Sequence, residues 1–493
     1  MEITGIQPIL AMLASLIGGI FLLFFDKKPN IRDSISMIAA ISKWLVVVSV
    51  VPVVLRGDVI VYKLFTVIEG VDIAFKIDPF GLFFAFLAST LWIITTIYAV
   101  GYMRGLKEHA QTRFFFCFAM SLFAAIGIAF AANLFTMFIF YEILSIITYP
   151  LVIHEQDRHS FRNGTKYLIY LIGTSFAFQL LALLLIFGLT GTLDYTSEGI
   201  MEGHGSAIMQ VSIFALLIFG YAKAGLVPVH SWLPSAMVAP TPVSALLHAV
   251  AVVVAGVFAV LRVVFHIYGP PLMKALSLDI VLGAVASITI LLSIIFALTQ
   301  NNFKMRIAYS TVNQLSIMML GAAMLTYKGM LGGILHIASH SFAKITMFFV
   351  AGAVFVASGK KLISQLNGIG KKMPLTMLAF LVGILGIAGA PPALGLISKV
   401  YIAIGTIEAG YLIFLGVLLT SAMLDIIAFY PIFYRAFFKP LPEGESQDVK
   451  EAPLMVLVPL LITAIITILL FFYPSTFFEL ARMTVEGIGG GIN

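Results

Sequence analysis

The sequence predicts an all-α polytopic membrane protein with about fourteen transmembrane helices. Of its 493 residues, 61% are hydrophobic and 11% are charged, whereas about 25% of residues are charged in soluble domains. The mean hydropathy is +1.07. Apolar runs long enough to cross a bilayer recur along the chain, and the polar stretches between them are too short to form a soluble domain. We therefore expect one membrane domain over residues 1–493.

The apolar runs define the predicted spans. In chain order these are 4–25, 35–55, 79–103, 113–131, 134–153, 164–190, 207–228, 242–268, 278–300, 311–326, 329–357, 375–402, 409–436 and 453–473. Spans one to three belong to an N-terminal part, residues 4–112, which also contains a predicted β-hairpin outside the hydrocarbon. In this hairpin, Val59–Phe65 and Val71–Ile77 partly alternate apolar and polar residues around Glu69-Gly70.

The basic residues of the loops predict the orientation. Lys and Arg concentrate in the odd-numbered loops, at Lys27, Lys28, Arg32, Arg104, Lys107, Arg113, Arg158, Arg162, Lys304, Arg306, Lys360, Lys361, Lys371, Lys372, Arg435, Lys439 and Lys450. The positive-inside rule places these loops in the cytoplasm and both termini outside, which requires an even number of spans. The first apolar run lacks a preceding basic segment and a cleavage site, so we expect a retained helix rather than a signal peptide.

Composition excludes several classes of function. Cys117 is the single cysteine, so the chain forms no internal disulfide and has no thiolate set for zinc or an iron–sulfur cluster. The sequence has no P-loop for nucleotide hydrolysis. The net charge of +6 reflects basic loops rather than a nucleic-acid partner. We expect no cofactor, no metal site and no redox centre in this chain.

Two spans contain helix-breaking residues. Span seven ends in Leu226–His230, with Pro228, and is followed by further prolines; span twelve contains Gly386, Pro391, Pro392 and Gly395 shortly before Lys399. Proline removes a backbone donor and glycine loosens the helix. Broken helices at membrane depth are tolerated where the freed backbone lines a cavity, and paired breaks indicate a transport site. The alternative is a simple kink in each helix.

Glu142 in span five and Lys223 in span seven are ionisable residues predicted to lie inside the membrane. A charged side chain at the bilayer centre costs roughly 3 kcal/mol on insertion scales. An opposite charge nearby favours both ionised forms, whereas an isolated lysine in a dry pocket releases its proton more easily. Movement of the two side chains together or apart would therefore switch Lys223, although a static buried ion pair is the alternative.

Span eleven carries three polar side chains at a spacing of four residues, His336, His340 and Lys344. This spacing places them roughly on one helix face. Histidine exchanges protons readily near neutral pH, so the stripe suits a proton relay. Two alternatives remain, a metal site without an evident carboxylate ligand and a pair of hydrogen-bonded core histidines.

His248 in span eight and Lys399 in span twelve extend this set of buried ionisable groups. Hydroxyl groups and water are expected to bridge them, with four serines as candidates, Ser244, Ser339, Ser341 and Ser398. Asp425 in span thirteen either pairs with a lysine or has a neutral structural role. Three further basic residues are expected near span ends, with their charges in water, namely Lys43, Lys166 and Arg262.

Four segments around these residues carry a specific resemblance. They are Pro240–Ala249 (PTPVSALLHA), Arg306–Leu315 (RIAYSTVNQL), His336–Lys344 (HIASHSFAK) and Gly389–Lys399 (GAPPALGLISK). They resemble the antiporter-like subunits shared by respiratory complex I, Mrp-type sodium/proton antiporters and membrane-bound hydrogenases, from about span four to span thirteen. Lys399, at a position where some family members carry glutamate, is similar to the D-type component of Mrp antiporters and its relatives in archaeal hydrogenase or sulfur-reducing complexes.

The resemblance implies a fold of two inverted five-helix repeats. Residues 113–268 would form the first repeat, helices 4–8, and residues 278–436 the second, helices 9–13, with discontinuous helices 7 and 12 and a last helix at 453–473. It also implies roles for the buried groups. Glu142 and Lys223 would form a modulating ion pair, His248 would link the halves, and the remaining residues would carry protons onward, namely His336, His340, Lys344 and Lys399.

The sequence therefore favours a proton-translocating subunit of a larger complex in a prokaryotic cell membrane. Its partners would be lipids and the other membrane subunits of a complex I-like or Mrp-like assembly, with redox chemistry or sodium flux in those subunits as the driving force. A sodium-conducting antiporter subunit is the alternative within transport. From other classes, a quinone-binding subunit and a structural scaffold remain, although a scaffold would not explain so many buried charges.

Overall fold

The computed structural model of the chain describes residues 1–441 and 449–488. The α-helices of these residues are α1 (Gln7–Leu22), α2 (Pro29–Leu55), α3 (Pro79–Gly105), α4 (Gln111–Ala129), α5 (Leu134–Val152), α6 (Arg158–Thr174), α7 (Leu180–Thr190), α8 (Ala207–Gly220), α9 (Trp232–Ser235), α10 (Thr241–Ala249), α11 (Val252–Arg262), α12 (Gly269–Ala275), α13 (Leu278–Thr299), α14 (Phe303–Ala323), α15 (Tyr327–Ser358), α16 (Pro374–Ala388), α17 (Leu394–Glu408), α18 (Leu412–Phe438), α19 (Leu454–Phe472) and α20 (Ser475–Glu486). The strands are β1 (Glu2–Thr4), β2 (Val59–Ile68) and β3 (Val71–Ile77).

Short segments of other helical geometry join or follow these helices. A π-helical segment, Ser175–Gln179, connects α6 to α7, and a second, Val263–Tyr268, connects α11 to α12. Single 3₁₀ turns occur at Leu23–Phe25, Ala222–Ala224, Val229–Ser231, Ala236–Val238, Ile363–Gln365 and Ile369–Lys371.

Eleven helical segments in the described residues are long and apolar enough to cross a membrane. They are Gln7–Phe25, Pro29–Leu55, Pro79–Gly105, Gln111–Ala129, Leu134–Val152, Arg158–Thr190, Thr241–Ala275, Leu278–Thr299, Tyr327–Ser358, Leu412–Phe438 and Leu454–Phe472. Each overlaps one predicted span, and the shorter apolar helices α8 and α16 coincide with the first halves of spans seven and twelve. The prediction of a multi-span helical membrane protein is confirmed, whereas the number of fourteen spans stays a prediction.

Span ten was predicted to begin at residue 311, but α14 begins at Phe303. The side chain of Asn302 accepts a hydrogen bond from the Met305 amide at 3.1 Å and so caps the helix. Arg306 donates to the carbonyls of Gln300 at 2.7 Å and Ala428 at 2.8 Å. The helix thus accommodates basic residues that hydropathy assigned to a loop.

The small sheet lies at one end of the helices. β2 and β3 pair antiparallel around the turn at Gly70, whose φ of +82° favours glycine. β1 pairs parallel with β2. This third strand was not predicted, because three residues are too few to show a pattern and hydropathy merged them with the first span.

The helix of span seven ends earlier than predicted. α8 stops at Gly220 and a 3₁₀ turn follows, whereas the prediction carried the span to residue 228. α9 begins at Trp232, whose indole nitrogen donates to the carbonyl of Ala222 at 2.9 Å. Protein groups therefore bind backbone that the break leaves free, as a non-helical segment at membrane depth requires.

Span twelve, predicted as continuous over 375–402, is also interrupted. α16 ends at Ala388, Gly389 has a φ of +78°, and α17 begins at Leu394. A Cβ atom at Gly395 would overlap the carbonyl of Gly386, so the two half-helices approach closely only with glycine here. Several residues lie outside the helix at both breaks, so a simple kink does not describe either one.

A third interruption, which the sequence did not predict, divides span eight. The helix predicted over 242–268 consists of α10 and α11, separated after Ala249, and of the π-helical segment that follows. The segment from Val250 to Val254 is uniformly apolar and contains no glycine or proline. Its sequence therefore carries no signal for a break.

The 32-residue helix α15 lies at the centre of the second half of the chain. Every residue from Gly329 to Val354 is buried. α15 packs against α14, α16 and α17, and also against α10 and α19. The polar stripe on α15 therefore lies inside protein rather than against lipid.

Candidate functional site

Lys223 lies in the 3₁₀ turn that follows α8 and is completely buried. A Cβ at Gly256 of α11 would overlap the backbone of Lys223, so the glycine lets α11 pack directly on this turn. The ammonium donates to the carbonyl of Tyr141 at 2.9 Å and to the hydroxyl of Ser145 at 2.6 Å. It also lies 3.2 Å from the centroid of the Tyr141 ring.

Glu142 faces a different neighbour. Its Oε1 accepts a hydrogen bond from Ser175 Oγ at 2.7 Å, and its Oε2 has no partner among the described residues. Ser175 opens the π-helical segment between α6 and α7, a local geometry that is frequent at functional sites. Only one of the two carboxylate oxygens is therefore hydrogen-bonded among the described residues.

The predicted ion pair between Glu142 and Lys223 is not closed in this arrangement. In the described part of the chain, the two side chains share no hydrogen bond, although their charges are neighbours. The reason is helix geometry. Tyr141 and Ser145 are four residues apart on one face of α5, whereas Glu142 lies about 100° around the helix.

His336 is the centre of a hydrogen-bonded chain in the second half. Its Nε2 is 3.0 Å from Oε1 of Gln314, and its Nδ1 is 2.9 Å from Oγ of Ser398. Nε2 of Gln314 donates to Asp425 Oδ2 at 2.8 Å. Since the Gln314 amide donates to the carboxylate, its oxygen accepts from His336, which places the imidazole proton on Nε2.

Lys399 completes this chain at the break of span twelve. Its ammonium donates to the carbonyl of Ile387 at 2.6 Å, near the C-terminal end of α16, and lies 3.4 Å from Oδ2 of Asp425. Of the two roles predicted for Asp425, the structure shows the pairing with a lysine. Lys399, Asp425, Gln314 and His336 thus form one connected chain.

His340 and Lys344 lie further along α15. His340 Nε2 donates to the carbonyl of His248, near the end of α10, at 3.1 Å. Lys344 donates a short hydrogen bond to the hydroxyl of Ser310 on α14. The ring of His248 is buried against Phe348, and within residues 1–441 and 449–488 neither of its nitrogens has a partner.

Of the four serines expected to bridge these groups, only Ser398 does so. The hydroxyls of Ser244 and Ser341 bond to backbone carbonyls close in sequence, and that of Ser339 has no partner in the described structure. Sequence reasoning missed Ser310 and Gln314, which form hydrogen bonds with Lys344 and His336. Their signal was visible, because Ser310, Asn313 and Gln314 are polar residues in a helix surrounded by apolar spans.

Two of the three lysine and arginine residues expected near water are buried. Lys43 is completely buried in the middle of α2, 4.3 Å from the centroid of the Trp92 ring, and its ammonium has no hydrogen-bond partner among described residues. Arg262 is 1% exposed and binds Asp78 through two hydrogen bonds of 2.6 and 2.7 Å. The hydropathy of the sequence did not show that the side chains of Lys43 and Arg262 point into the protein.

A cavity of about 840 Å³ opens among the basic loops, and we call it the loop cavity. Its walls include ionisable residues from five parts of the chain, among them Glu108, Glu155, Lys166, Lys304 and Lys361. α10 and α14 both begin in this wall, at Thr241 and Phe303. The two helices run from the loop cavity to His248 and Gln314.

One further group of side chains has the donor atoms of a metal site. Glu108, His109 and His154 bring a carboxylate oxygen and two ring nitrogens within 4.8 Å of one another. They lie in the loops that precede α4 and follow α5, at the rim of the loop cavity, and the sequence predicted no metal site there.

Comparisons with known proteins match the whole of this architecture. The family described as "NADH:quinone oxidoreductase/Mrp antiporter, TM" matches residues 131–424. NADH-quinone oxidoreductase subunit N of Desulforudis audaxviator is 31% identical over 407 residues, which cover 79% of this chain and 80% of that protein. The D-type component of the Na(+)/H(+) antiporter of Alkalihalophilus pseudofirmus is 25% identical over 484 residues, 97% of this chain and 96% of that protein.

A solved structure has the same fold. The Mrp complex from Dietzia sp. contains a chain that superposes with a TM-score of 0.87 at 20% sequence identity, over 98% of this chain and 97% of that chain. The breaks in spans seven and twelve thus lie within a fold already observed in a multisubunit membrane complex.

Proposed function

Because the chain belongs to the NADH:quinone oxidoreductase/Mrp antiporter family of membrane subunits, we propose that it translocates protons through its line of buried ionisable groups. The antiporter-like subunit is a multi-span membrane protein with charged side chains in its interior. The line would run through Glu142, Lys223, His248, His336, His340, Lys344 and Lys399.

The connected chain from His336 to Lys399 is the observation that carries this proposal. His336, Asp425 and Lys399 can each bind and release a proton, and all members of the chain are buried. Gln314 holds His336 and Asp425 through hydrogen bonds. A charge in a low-dielectric interior is costly, so a static role for the whole set would cost stability without an evident gain. A function in proton transfer would explain why these costly groups are buried.

Protons are favoured over sodium by the excess of basic groups. The line contains three buried lysines, Lys223, Lys344 and Lys399, whereas the buried acids that neighbour them are Glu142 and Asp425. Sodium ions prefer several oxygen ligands and are repelled by ammonium groups, while a lysine side chain carries the transported proton itself. Asp425 is moreover already paired with Lys399.

The loop cavity would be the cytoplasmic access to this line. The basic loops that surround it are the ones assigned to the cytoplasm by the positive-inside rule, which also places both termini outside. From the cavity, α14 passes Ser310, which binds Lys344, and reaches Gln314, which binds His336. The polar side chains of α14 and α15 would thus be the steps of the path.

Glu142 and Lys223 would modulate the path rather than form a permanent pair. The ammonium of Lys223 already has two acceptors, and the second oxygen of Glu142 has no partner among described residues. A small rotation of Lys223 towards this oxygen would close the pair and favour the charged lysine. Opening would favour release of the proton.

The inverted repeats, residues 113–268 and 278–436, belong to the same proposal. The corresponding breaks that follow α8 and α16, each close to a buried lysine, support it. Other membrane subunits would supply the driving reaction, as the Mrp complex that shares the fold is a multisubunit assembly. Lipids or these subunits would cover the apolar side chains exposed on α18, such as Met423 and Ile427.

Replacement of Lys399 by methionine tests the proposal. The complex that contains the variant would be reconstituted into vesicles, driven by a sodium gradient or by the substrate of its redox partner, and proton uptake followed with a pH-sensitive dye. We expect uptake to fall at least about tenfold, since a methionine of similar length cannot carry a proton. Lys43→Met is the matched control, because Lys43 is an equally buried lysine outside the line, and its uptake should be unchanged.

Assembly of both variants would be checked by the amount of subunit in the purified complex. Normal uptake in an assembled Lys399→Met complex would refute the proton path and favour a scaffold. Retained transport of radioactive sodium ions without proton movement would instead favour the sodium-conducting function.

A further inference from the structure

The loops at the rim of the loop cavity bring together two imidazoles and a carboxylate. Glu108 and His109 lie between α3 and α4, and His154 follows α5. The Nε2 atom of His154 is 3.8 Å from Oε2 of Glu108, and the centroids of the two imidazole rings are 4.7 Å apart. All three donor atoms lie within 4.8 Å of one another.

His154 is the unusual member of this group. It is completely buried, and neither ring nitrogen has a hydrogen-bond partner among residues 1–441 and 449–488. Buried polar atoms are nearly always satisfied, and an unsatisfied one costs about 1–3 kcal/mol. The residue is held by its neighbours. Phe114 packs edge-on against the ring, and Arg113 donates a hydrogen bond to the backbone carbonyl of His154 at 3.1 Å.

His154 and Glu108 approach each other without forming a hydrogen bond, since the Nε2 and Oε2 atoms are 3.8 Å apart. Both ring nitrogens of His154 are therefore without a hydrogen-bond partner among the described residues. A neutral imidazole has a free lone pair, which is the form that binds metals.

We propose that Glu108, His109 and His154 bind a divalent transition-metal ion of the zinc class. Two imidazoles and one carboxylate are a common zinc ligand set, with the fourth position left to water. Tetrahedral ligation brings donor atoms to roughly 3.3–3.5 Å from one another. Binding of the metal would require Glu108 and the exposed His109 to move closer by side-chain rotation, while buried His154 stays in place.

The surrounding charges are compatible with such an ion. Arg113 and Lys361 are the cations that act on this group, and Glu155 is a second carboxylate beside Glu108. The two carboxylates would balance the double charge of the metal. Because Glu108 lines the loop cavity, the bound ion would remove the negative charge of these carboxylates from the cavity rim and slow proton uptake, a consequence that rests on the proposed function.

Binding of Zn²⁺ to the purified complex, measured by titration calorimetry near pH 7.5, tests the site. We expect one Zn²⁺ per chain in the wild type, and at least about tenfold weaker binding for His109→Ala, since even second-shell changes cost 10–100-fold in metal affinity. His109 is exposed, so this variant should fold. His159→Ala is the control, because His159 is an exposed histidine in the first turn of α6 and outside the proposed ligand set. Zn²⁺ binding by this variant should equal that of the wild type.

Unchanged Zn²⁺ affinity in His109→Ala, or no stoichiometric binding to the wild type, would overturn the site. Co²⁺ provides a second readout, because its visible absorption band would report tetrahedral ligation in the wild type and should disappear in Glu108→Gln. Zn²⁺ should also inhibit proton uptake by the wild type at concentrations that leave His109→Ala active. Binding without inhibition would leave the metal site standing and count against the loop cavity as the proton access.

Discussion

Gln314 shows how much one uncharged side chain contributes to the line. Its amide nitrogen donates to Asp425 and its oxygen faces His336, so it joins an acid to a base and fixes the tautomer of the imidazole. A glutamine neither gains nor loses a proton, and sequence reasoning that searches for ionisable residues passes over it. Glu142 and Lys223 are held in the same way by Ser175 and Ser145, which the sequence did not single out.

We predict that Gln314→Met lowers proton uptake by about tenfold or more while the complex still assembles. Methionine preserves the volume but leaves Asp425 and His336 each without one hydrogen bond, and such a loss costs about 1–3 kcal/mol. Dye-monitored uptake in vesicles is the measurement. Ser341→Ala is the control, since its hydroxyl bonds only to the carbonyl of Ile337 on the same helix. Equal uptake in the two variants would count against a role of the Gln314 amide in positioning Asp425 and His336.

At the scale of elements, helix ends position the functional groups. Lys223 and Lys399 lie beside the breaks that follow α8 and α16, and His248 lies near the end of α10. Prolines and glycines predicted the first two breaks because these residues act on the local backbone. The break after α10 was not predicted, because the residues that follow Ala249 include no glycine or proline up to Val254.

The N-terminus of α3 combines a helix cap with a buried ion pair. Asp78 accepts from the amide of Gly81 at 2.7 Å and binds Arg262 through two hydrogen bonds. Burial alone would raise the pKa of Asp78, but the positive charge and hydrogen bonds of Arg262 outweigh it and hold this pKa at about 2. The pair ties α3 to the end of α11.

We predict that Asp78→Asn lowers the free energy of unfolding by about 3 kcal/mol, measured from the unfolding transition in detergent. Asparagine still caps the helix, but it leaves Arg262 buried without its counter-charge. Asp157→Asn is the control, an exposed cap on α6 that binds the Ser160 amide at 2.6 Å, and should change this free energy by less than about 1 kcal/mol.

The ion pair of Asp78 and Arg262 also predicts how the free energy of unfolding depends on pH. An unfolded aspartate has a pKa of about 4, so the stabilisation is complete above that pH and disappears as pH falls towards the folded pKa of about 2. The difference between the wild type and Asp78→Asn should therefore vanish over this interval. A difference that persists at pH 2 would mean that the charge of Asp78 is not its source.

For the whole molecule, hydropathy predicted the class of fold and most of the spans, because the hydrocarbon demands about 20 apolar residues per crossing. It could not predict which side chains meet, since the contact of Gln314 on α14 with Asp425 on α18 joins residues more than a hundred positions apart. It also misplaced Lys43 and Arg262, whose surroundings come from distant helices. The hydrogen bond to Glu142 comes from Ser175, in a π-helical segment that no sequence pattern indicated.

The orientation of the whole chain is testable with introduced cysteines. In a Cys117→Ser background, the exposed residues Lys107 and Glu202 would each be changed to cysteine. We expect a membrane-impermeant thiol reagent to label Glu202→Cys from outside intact cells, and Lys107→Cys only after the membrane is opened, because their loops lie on opposite faces by the positive-inside rule. The reverse pattern would invert the proposed orientation.

The volume of the loop cavity also determines how strongly osmotic pressure can affect transport. At about 30 Å³ per molecule in the liquid, a space of about 840 Å³ has room for roughly 28 waters. If the cavity narrows during turnover, many of these water molecules return to the bulk solvent. A solute that is too large to enter the cavity raises the osmotic pressure outside it and so favours the narrower form. The slope of transport rate against osmotic pressure would then count the waters that leave in each cycle.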